Sequence, residues 1–309
     1  MLLGSWEDLD EAEAAKIERD CHAWVVQPKF DGIRALLHVE GGRVRITSRT
    51  VSEVTYRLSE LQYNLPQLTE GFDGLWGTVL DGELVCPLSV LDTGSTTTGS
   101  SLQATMAILA TTPENARRIQ AREAWVRFHC FDALRYRGRD LTTFHWADRQ
   151  QYVEEARRRS ENPFVEAVPS FAVNKGEIHR HLVDAGGEGT VWKKSDGIYE
   201  PGRRVGHWIK RKRGIEVEAF VSGFKPGNNG HASFVGAVEF SVARADGATI
   251  PVAWVSNWSD AERAAMTHMG RAGICGLNPA YLGRRALIAG QDCSAKTKRV
   301  RHARLVRWI

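Results

Sequence analysis

The chain lacks the residues for a disulfide or zinc framework. Its five cysteines, Cys21, Cys86, Cys130, Cys275 and Cys293, are odd in number and far apart, and no Cys-x-x-Cys pair occurs. That spacing argues against a structural zinc site and fits a reducing compartment. Long apolar runs are missing too: none approaches the roughly 18 residues that a membrane-spanning helix needs. Met1 to Asp20 is acidic with no apolar segment, so it does not read as a signal peptide. These absences point to the cytoplasm, with no membrane partner. What is present is 309 residues with 42% hydrophobic content, which suits one large or two medium cores.

Charge is spread unevenly. The formal net charge is only +4, yet residues 214–309 hold twelve basic side chains against seven acidic ones. Near the end, Arg284, Arg285, Lys296, Lys298, Arg299, Arg301, Arg304 and Arg307 are opposed only by Asp292. A cationic C-terminal lobe on a near-neutral body suggests a polyanion partner. Leu305, Val306, Trp308 and Ile309 are interleaved with these charges and look able to pack, unlike a solvated tail.

Periodicity gives the organisation. A short acidic helix is expected over 5–20, with strands at 23–27, 33–39 and 43–48. A helix over 56–65 follows, then a strand at 78–85. The run Asp92 to Ser101, rich in Gly, Ser and Thr, reads as a flexible loop. Helices are expected at 101–109, 113–123, 145–159 and 175–185, and strands at 125–133, 189–194 and 207–212. The character changes after Arg213: strands at 215–223, 233–243, 248–256, 285–289 and 304–309 surround a helix over 259–269. Five short strands with one helix suit a small barrel of the OB type. The boundary is set at 213, giving domains 1–213 and 214–309.

The chemistry begins at Gln27-Pro28-Lys29-Phe30-Asp31-Gly32-Ile33-Arg34. A strand delivers Lys29 into a turn formed by Asp31 and Gly32. A lysine held there near arginines can lose its proton and attack phosphorus or a carbonyl. Five further elements follow in order: Ser48-Arg49-Thr50, Leu80-Asp81-Gly82-Glu83-Leu84-Val85, Phe128-His129-Cys130-Phe131-Asp132, Glu188-Gly189-Thr190-Val191-Trp192-Lys193, and Trp208-Ile209-Lys210-Arg211-Lys212. Each alone is an ordinary turn or strand face; their order is the signal.

With these six elements the chain resembles the covalent nucleotidyltransferases, and among them the short phage-type ATP-dependent DNA ligases. The resemblance implies an α+β fold: an ATP-grasp-like nucleotidyltransferase domain of antiparallel sheets and helices, followed by a C-terminal OB-fold β-barrel. It implies that Lys29 attacks the α-phosphorus of ATP and carries AMP. Gln27 would read the adenine edge, Arg34 and Arg49 would hold the nucleotide sugar and the nick phosphate, and Glu83 would accept a ribose hydroxyl. Phe131 would stack on adenine, Glu188 would stand near a catalytic Mg²⁺, and Lys210 and Lys212 would neutralise the α-phosphate. The family's closing Arg-x-Asp-Lys element is absent, which leaves Arg304 and Arg307 as the candidate DNA or pyrophosphate contacts. The implied partner is nicked duplex DNA, sealed by a monomer in the cytoplasm, the host's if phage-encoded. Only 28 residues precede Lys29, and no four-cysteine zinc element accompanies it, so ATP rather than NAD is the expected donor.

Other residues read more plainly. Asp31 is a turn former, Arg149 is structural, and His38, His129 and His207 are core or surface histidines. Two alternatives stand beside the ligase reading: an RNA ligase or mRNA capping guanylyltransferase, and an inactive nucleic-acid-binding protein that keeps the fold.

Overall fold

The computed structural model describes residues 1–51, 56–87, 101–122, 124–244, 246–270, 275–290, 292–293, 299–301 and 303–309. The chain divides into two compact units, Met1–Arg211 and Lys212–Ile309. Residues 92–100 of the Gly/Ser/Thr-rich loop lie outside the described residues, as do Lys296 and Lys298.

The first unit runs β1 (Leu2–Ser5), α1 (Glu11–Arg19), β2 (Trp24–Pro28), β3 (Ile33–Glu40), β4 (Arg43–Val51), β5 (Leu58–Glu60) and β6 (Thr78–Val85). It continues through α2 (Ser101–Leu109), α3 (Pro113–Arg122), β7 (Arg127–Tyr136), β8 (Arg139–Asp140), α4 (Trp146–Arg159), β9 (Val165–Ala167), α5 (Lys175–Asp184), β10 (Gly189–Lys194) and β11 (Arg204–Lys212). One sheet has the order β5-β4-β3-β6-β7-β8, with β9 added in parallel to β7. A second sheet has the order β1-β11-β10-β2.

Alternation explains the layers. On β3, Ala35, Leu37 and Val39 are buried and join Ile46, Leu80, Leu84 and Phe128 in the main core. A second core holds Trp208, Val205, Trp146 and Tyr199, with Val25, Phe131 and Leu134 against it. Residues of the four-stranded and the seven-stranded sheet therefore share this core. On the far face of the four-stranded sheet, Trp24, Val26, Trp192 and Ile209 pack with Ile17 of α1 and Ile178 of α5.

Two expected helices of this unit differ. Over 56–65 the chain forms β5 and a 3-10 turn at Gln62–Asn64 instead. Tyr56 has φ of 53°, in the left-handed region, and Pro66 follows. Leu61, Leu65 and Leu68 still reach the core, from successive 3-10 turns. The acidic helix is shorter than expected: Asp10 caps α1 by accepting from the Glu13 N–H at 2.7 Å, and Trp6 lies before it in a 3-10 turn.

The second unit holds β12 (Ile215–Pro226), β13 (Val235–Ala243), β14 (Thr249–Val255), α6 (Asp260–Met266), β15 (Thr267–Met269), β16 (Cys275–Leu277), β17 (Arg285–Gly290), β18 (Asp292–Cys293), β19 (Val300–Arg301) and β20 (Arg304–Trp308). Its main sheet is antiparallel, in the order β14-β13-β12-β17-β20. Val221, Val238, Phe240, Val255 and Ile288 fill its core with Trp258 and Met266. A full capping box of Ser259 and Glu262 starts α6. The helix stops at Met266 because Thr267–Met269 pairs with β16.

Candidate active site

Lys29 stands one residue beyond β2. Its backbone N–H donates to the Gly189 carbonyl at 3.0 Å, extending the antiparallel β2–β10 ladder. That ladder brings Glu188 to the lysine, and Lys29 Nζ lies 2.5 Å from Glu188 Oε2. Both side chains are about one-fifth exposed (19% and 21%), so a substrate can reach them. The turn after Lys29 needs Gly32, because a Cβ there would stand 2.2 Å from the Leu84 carbonyl oxygen. Close approach of this turn to β6 sets Glu83 opposite.

A cross-strand row carries the polar side chains: Arg34 on β3 pairs with Glu83 on β6, which pairs with His129 on β7. Burial pushes the Glu83 carboxyl up to about 7, against the lowering pull of Lys29 and Arg34. Gly82 is required beside it, since a Cβ would come within 2.5 Å of the Phe128 ring. His129 carries the ring of Phe30 stacked at 4.1 Å, and burial lowers its imidazole below the usual histidine range. That stack joins residues 99 positions apart and has no local signal in the sequence.

Beneath this row lie two buried carboxylates that periodicity had not singled out. Arg34 holds Asp81 with both forks, Nε to Oδ1 at 2.9 Å and Nη2 to Oδ2 at 2.5 Å. Arg34 also donates to the Met1 carbonyl at 2.7 Å and to the Tyr199 hydroxyl at 3.2 Å. Tyr199 in turn donates to Asp81 at 3.0 Å, its phenol pushed up by burial and by Asp81. Asp132, paired in register with Asp81, is held bidentately by Arg149 at 2.8 and 2.9 Å, with both side chains fully buried. Arg149 is thus structural, as its place in the sequence suggested.

The other expected residues are distributed as follows. Gln27, on β2 two residues before Lys29, is buried and donates to Ser170 Oγ at 2.8 Å and more weakly to Gln150 at 3.4 Å. Phe131 lies under Arg34, 5.5 Å from its guanidinium, and edge-on to Trp208 at 6.0 Å. Among the described residues the buried donors that meet no hydrogen-bond partner are Gln150 Nε2, Trp146 Nε1, Trp208 Nε1, Tyr136 Oη and Arg211 Nη1. Arg49 is exposed near the end of β4, one residue beyond Ser48, which pairs with Ala35. Lys210 is half-buried on β11, two strands from β2 in the same sheet. Lys212 is the first residue of the second unit, where Arg304 and Arg307 are exposed on β20. Among the described residues no cluster of three or more acidic, His or Cys side chains forms a metal cage. Nor is any described helix long and apolar enough to cross a membrane.

Comparison with known proteins accords with this arrangement. Residues 10–212 match the model of the ATP dependent DNA ligase domain. The multifunctional non-homologous end joining DNA repair protein LigD of Mycobacterium tuberculosis is 28% identical over 215 residues, covering 70% of this chain and 25% of that protein. A DNA ligase of Natronomonas pharaonis is 30% identical over 245 residues, covering 79% of this chain and 42% of the relative. The chain therefore spans about a quarter of the LigD protein's length. In fold, it is similar to a Lig E DNA ligase (TM-score 0.61, 18% identity, 100% of this chain and 98% of that one). It is also similar to the ligase domain of M. tuberculosis LigD (TM-score 0.51, 21% identity, 99% and 92%). The chain belongs to the family of ATP-dependent DNA ligase domains, with their mixed α+β fold and antiparallel sheets.

Proposed function

We propose that this chain seals nicks in duplex DNA through a lysyl-AMP intermediate on Lys29. The observation that carries the reading is the meeting of Lys29 and Glu188 at the β2–β10 join, with Glu83 opposite. Lys29 Nζ attacks the α-phosphorus of ATP, its proton leaves the amine, and pyrophosphate departs. AMP then passes to the 5′-phosphate at a nick, and the neighbouring 3′-hydroxyl displaces it. Phosphoryl transfer of this kind asks the protein chiefly for positioning and charge neutralisation.

The side chains divide that work. Glu83 accepts a ribose hydroxyl, and Phe131 stacks on the base. Gln27 reads the adenine edge; the unmet amide nitrogen of Gln150, which Gln27 touches, supports a polar occupant nearby. Arg34 and Arg49 hold the sugar and the nick phosphate. For Arg34, this requires exchanging some of its present bonds to Tyr199 and Met1. Lys210 and Lys212 neutralise the α-phosphate. A single carboxylate beside substrate phosphates is a usual Mg²⁺ environment, so Glu188 fits the metal. When bound, Mg²⁺ would supply charge neutralisation at the phosphates.

We further assign 1–213 as the adenylation domain and 214–309 as an OB-fold DNA-binding domain of a monomeric enzyme. Counting β12, β13, β14, β17 and β20 as first to fifth, the sheet order is third, second, first, fourth, fifth. That order supports an OB barrel. The exposed arginines of β20 support contacts to DNA backbone.

The test is incubation with Mg²⁺ and α-labelled ATP or GTP, then denaturing electrophoresis. Label from ATP should stay on the wild-type chain, leave it as a nick closes, and be absent from Lys29→Ala. Sealing by Lys29→Ala refutes the mechanism. Label from GTP moves the assignment to capping chemistry, and no label from either nucleotide leaves a nucleic-acid binder.

A further inference from the structure

The strand β7 has a bulge at the residue assigned to the base. Asp81 pairs with Asp132 and Gly82 with Cys130, so Phe131 has no partner on β6. A bulge leaves the extra residue's backbone polar groups outside the ladder and turns its side chain. A buried carbonyl left that way needs a donor. The donor here comes from the other sheet: Lys193 of β10 reaches across and donates from Nζ to the Phe131 carbonyl at 3.0 Å.

Lys193 is an unusual choice of donor. Only 1% of it is exposed, and burial pulls its ammonium down to about 7, opposed by Asp132 and Asp81. Three aromatic rings surround Nζ: Trp208 at 3.9 Å, Phe131 at 4.7 Å and Trp146 at 5.5 Å from their centroids. Cation–π attraction offsets part of the desolvation. Even so, holding a lysine here carries a desolvation cost that the ring contacts and one hydrogen bond offset only in part. The lysine has a task that packing does not explain.

We propose that Lys193 is a positioning residue for nucleotide binding, which ties β10 to the β7 bulge and fixes the ring of Phe131 against the base of ATP. The proposal rests on the reading of Phe131 as the base-stacking residue. Lys193 touches no reacting atom; it acts through the Phe131 carbonyl and through ring contact. Because Glu188 directly precedes β10, which begins at Gly189, the same strand that places the carboxylate beside Lys29 also sets the base platform.

The experiment is steady-state ATP–pyrophosphate exchange by the full chain, in which pyrophosphate regenerates free Lys29 at each cycle, with Lys193→Met, Phe131→Ala and the double variant. Methionine keeps length and apolar volume but removes the donor. Stacking of a base on an aromatic ring is worth about 1–3 kcal/mol, so Phe131→Ala should raise the KM for ATP about tenfold or more. Lys193→Met should raise KM by a similar factor, with kcat changed less than about threefold, while loss of the donor to the Phe131 carbonyl lowers the melting temperature by roughly 2–12 °C. The double variant should be no worse than Phe131→Ala, because both act on one ring. A Lys193→Met enzyme with normal KM, or with reduced kcat alone, overturns the proposal while leaving the Phe131 reading intact. A Phe131→Ala enzyme with normal KM overturns both. If the methionine variant does not fold, Lys193→Gln serves, since its amide ends a bond short of the carbonyl and the same KM increase is expected.

Discussion

Replacing Arg149 by methionine should destabilise the first unit by about 4 kcal/mol. The guanidinium is fully buried and makes four bonds: two to Asp132, one to the Phe144 carbonyl at 2.5 Å and one to the Gly197 carbonyl at 3.0 Å. Without it, the Asp132 carboxylate keeps the hydrogen bond from the Ala133 N–H at 2.9 Å. Removing one partner of a buried ion pair costs about 3–5 kcal/mol, most of it from the stranded charge. At ~2–4 °C per kcal/mol for a unit of this size, the melting temperature should fall by roughly 8–16 °C. Differential scanning calorimetry of the full chain would read this in the first unit's transition. One refinement tests the cause and not only the size. Adding Asp132→Leu should recover part of the loss, because no charge is then stranded. A drop below about 1 kcal/mol, or a double variant as unstable as the two single losses summed, refutes the reasoning.

Three further outcomes are expected. Glu188→Ala should slow lysyl-adenylate formation about a hundredfold or more while nicked-DNA affinity changes less than about threefold; equal losses in label incorporation and gel shift would make Glu188 structural. Glu83 has a folded value near 7 against an ordinary 4.5, so the folded protein binds the extra proton between them and wild type should lose stability as pH rises through that window. Glu83→Gln should lack this slope in urea melts from pH 4 to 8, and a slope shared by both proteins would assign it elsewhere. Arg304→Ala with Arg307→Ala should reduce the slope of log affinity against log salt by about two, measured by fluorescence anisotropy on unrelated DNA sequences; an unchanged slope excludes both from backbone contact.

Much of the fold was legible because its strands alternate. The buried series Ala35, Leu37 and Val39 marks β3 as plainly in sequence as in space, and the Asp31-Gly32 turn announces where Lys29 must stand. The region after Val51 misled, because Leu58, Leu61 and Leu65 keep a helical spacing although the backbone between them makes a short strand and then a 3-10 turn. In the site, Lys29, Glu83 and Glu188 were readable from their motifs, and the structure brings them together. Their support was not. Asp81 and Asp132 sit inside motifs, but nothing local says which arginine each will meet; Arg34 lies 47 positions away and Arg149 17. The task of Lys193 depends on a bulge in another strand, which no periodicity encodes. The face to which Phe131 turns is set by that same bulge.

The β2–β10 ladder also sets when the enzyme can first exist. Lys29 and its carboxylate are separated by 159 positions, and their strands pair directly. During synthesis Lys29 leaves the ribosome early and waits, solvated, until β10 has emerged to close the sheet. A chain interrupted before Gly189 holds the lysine but no site. Contacts so distant in sequence also slow folding. Nascent or truncated chains would therefore neither consume nucleotide nor trap it on unfinished protein.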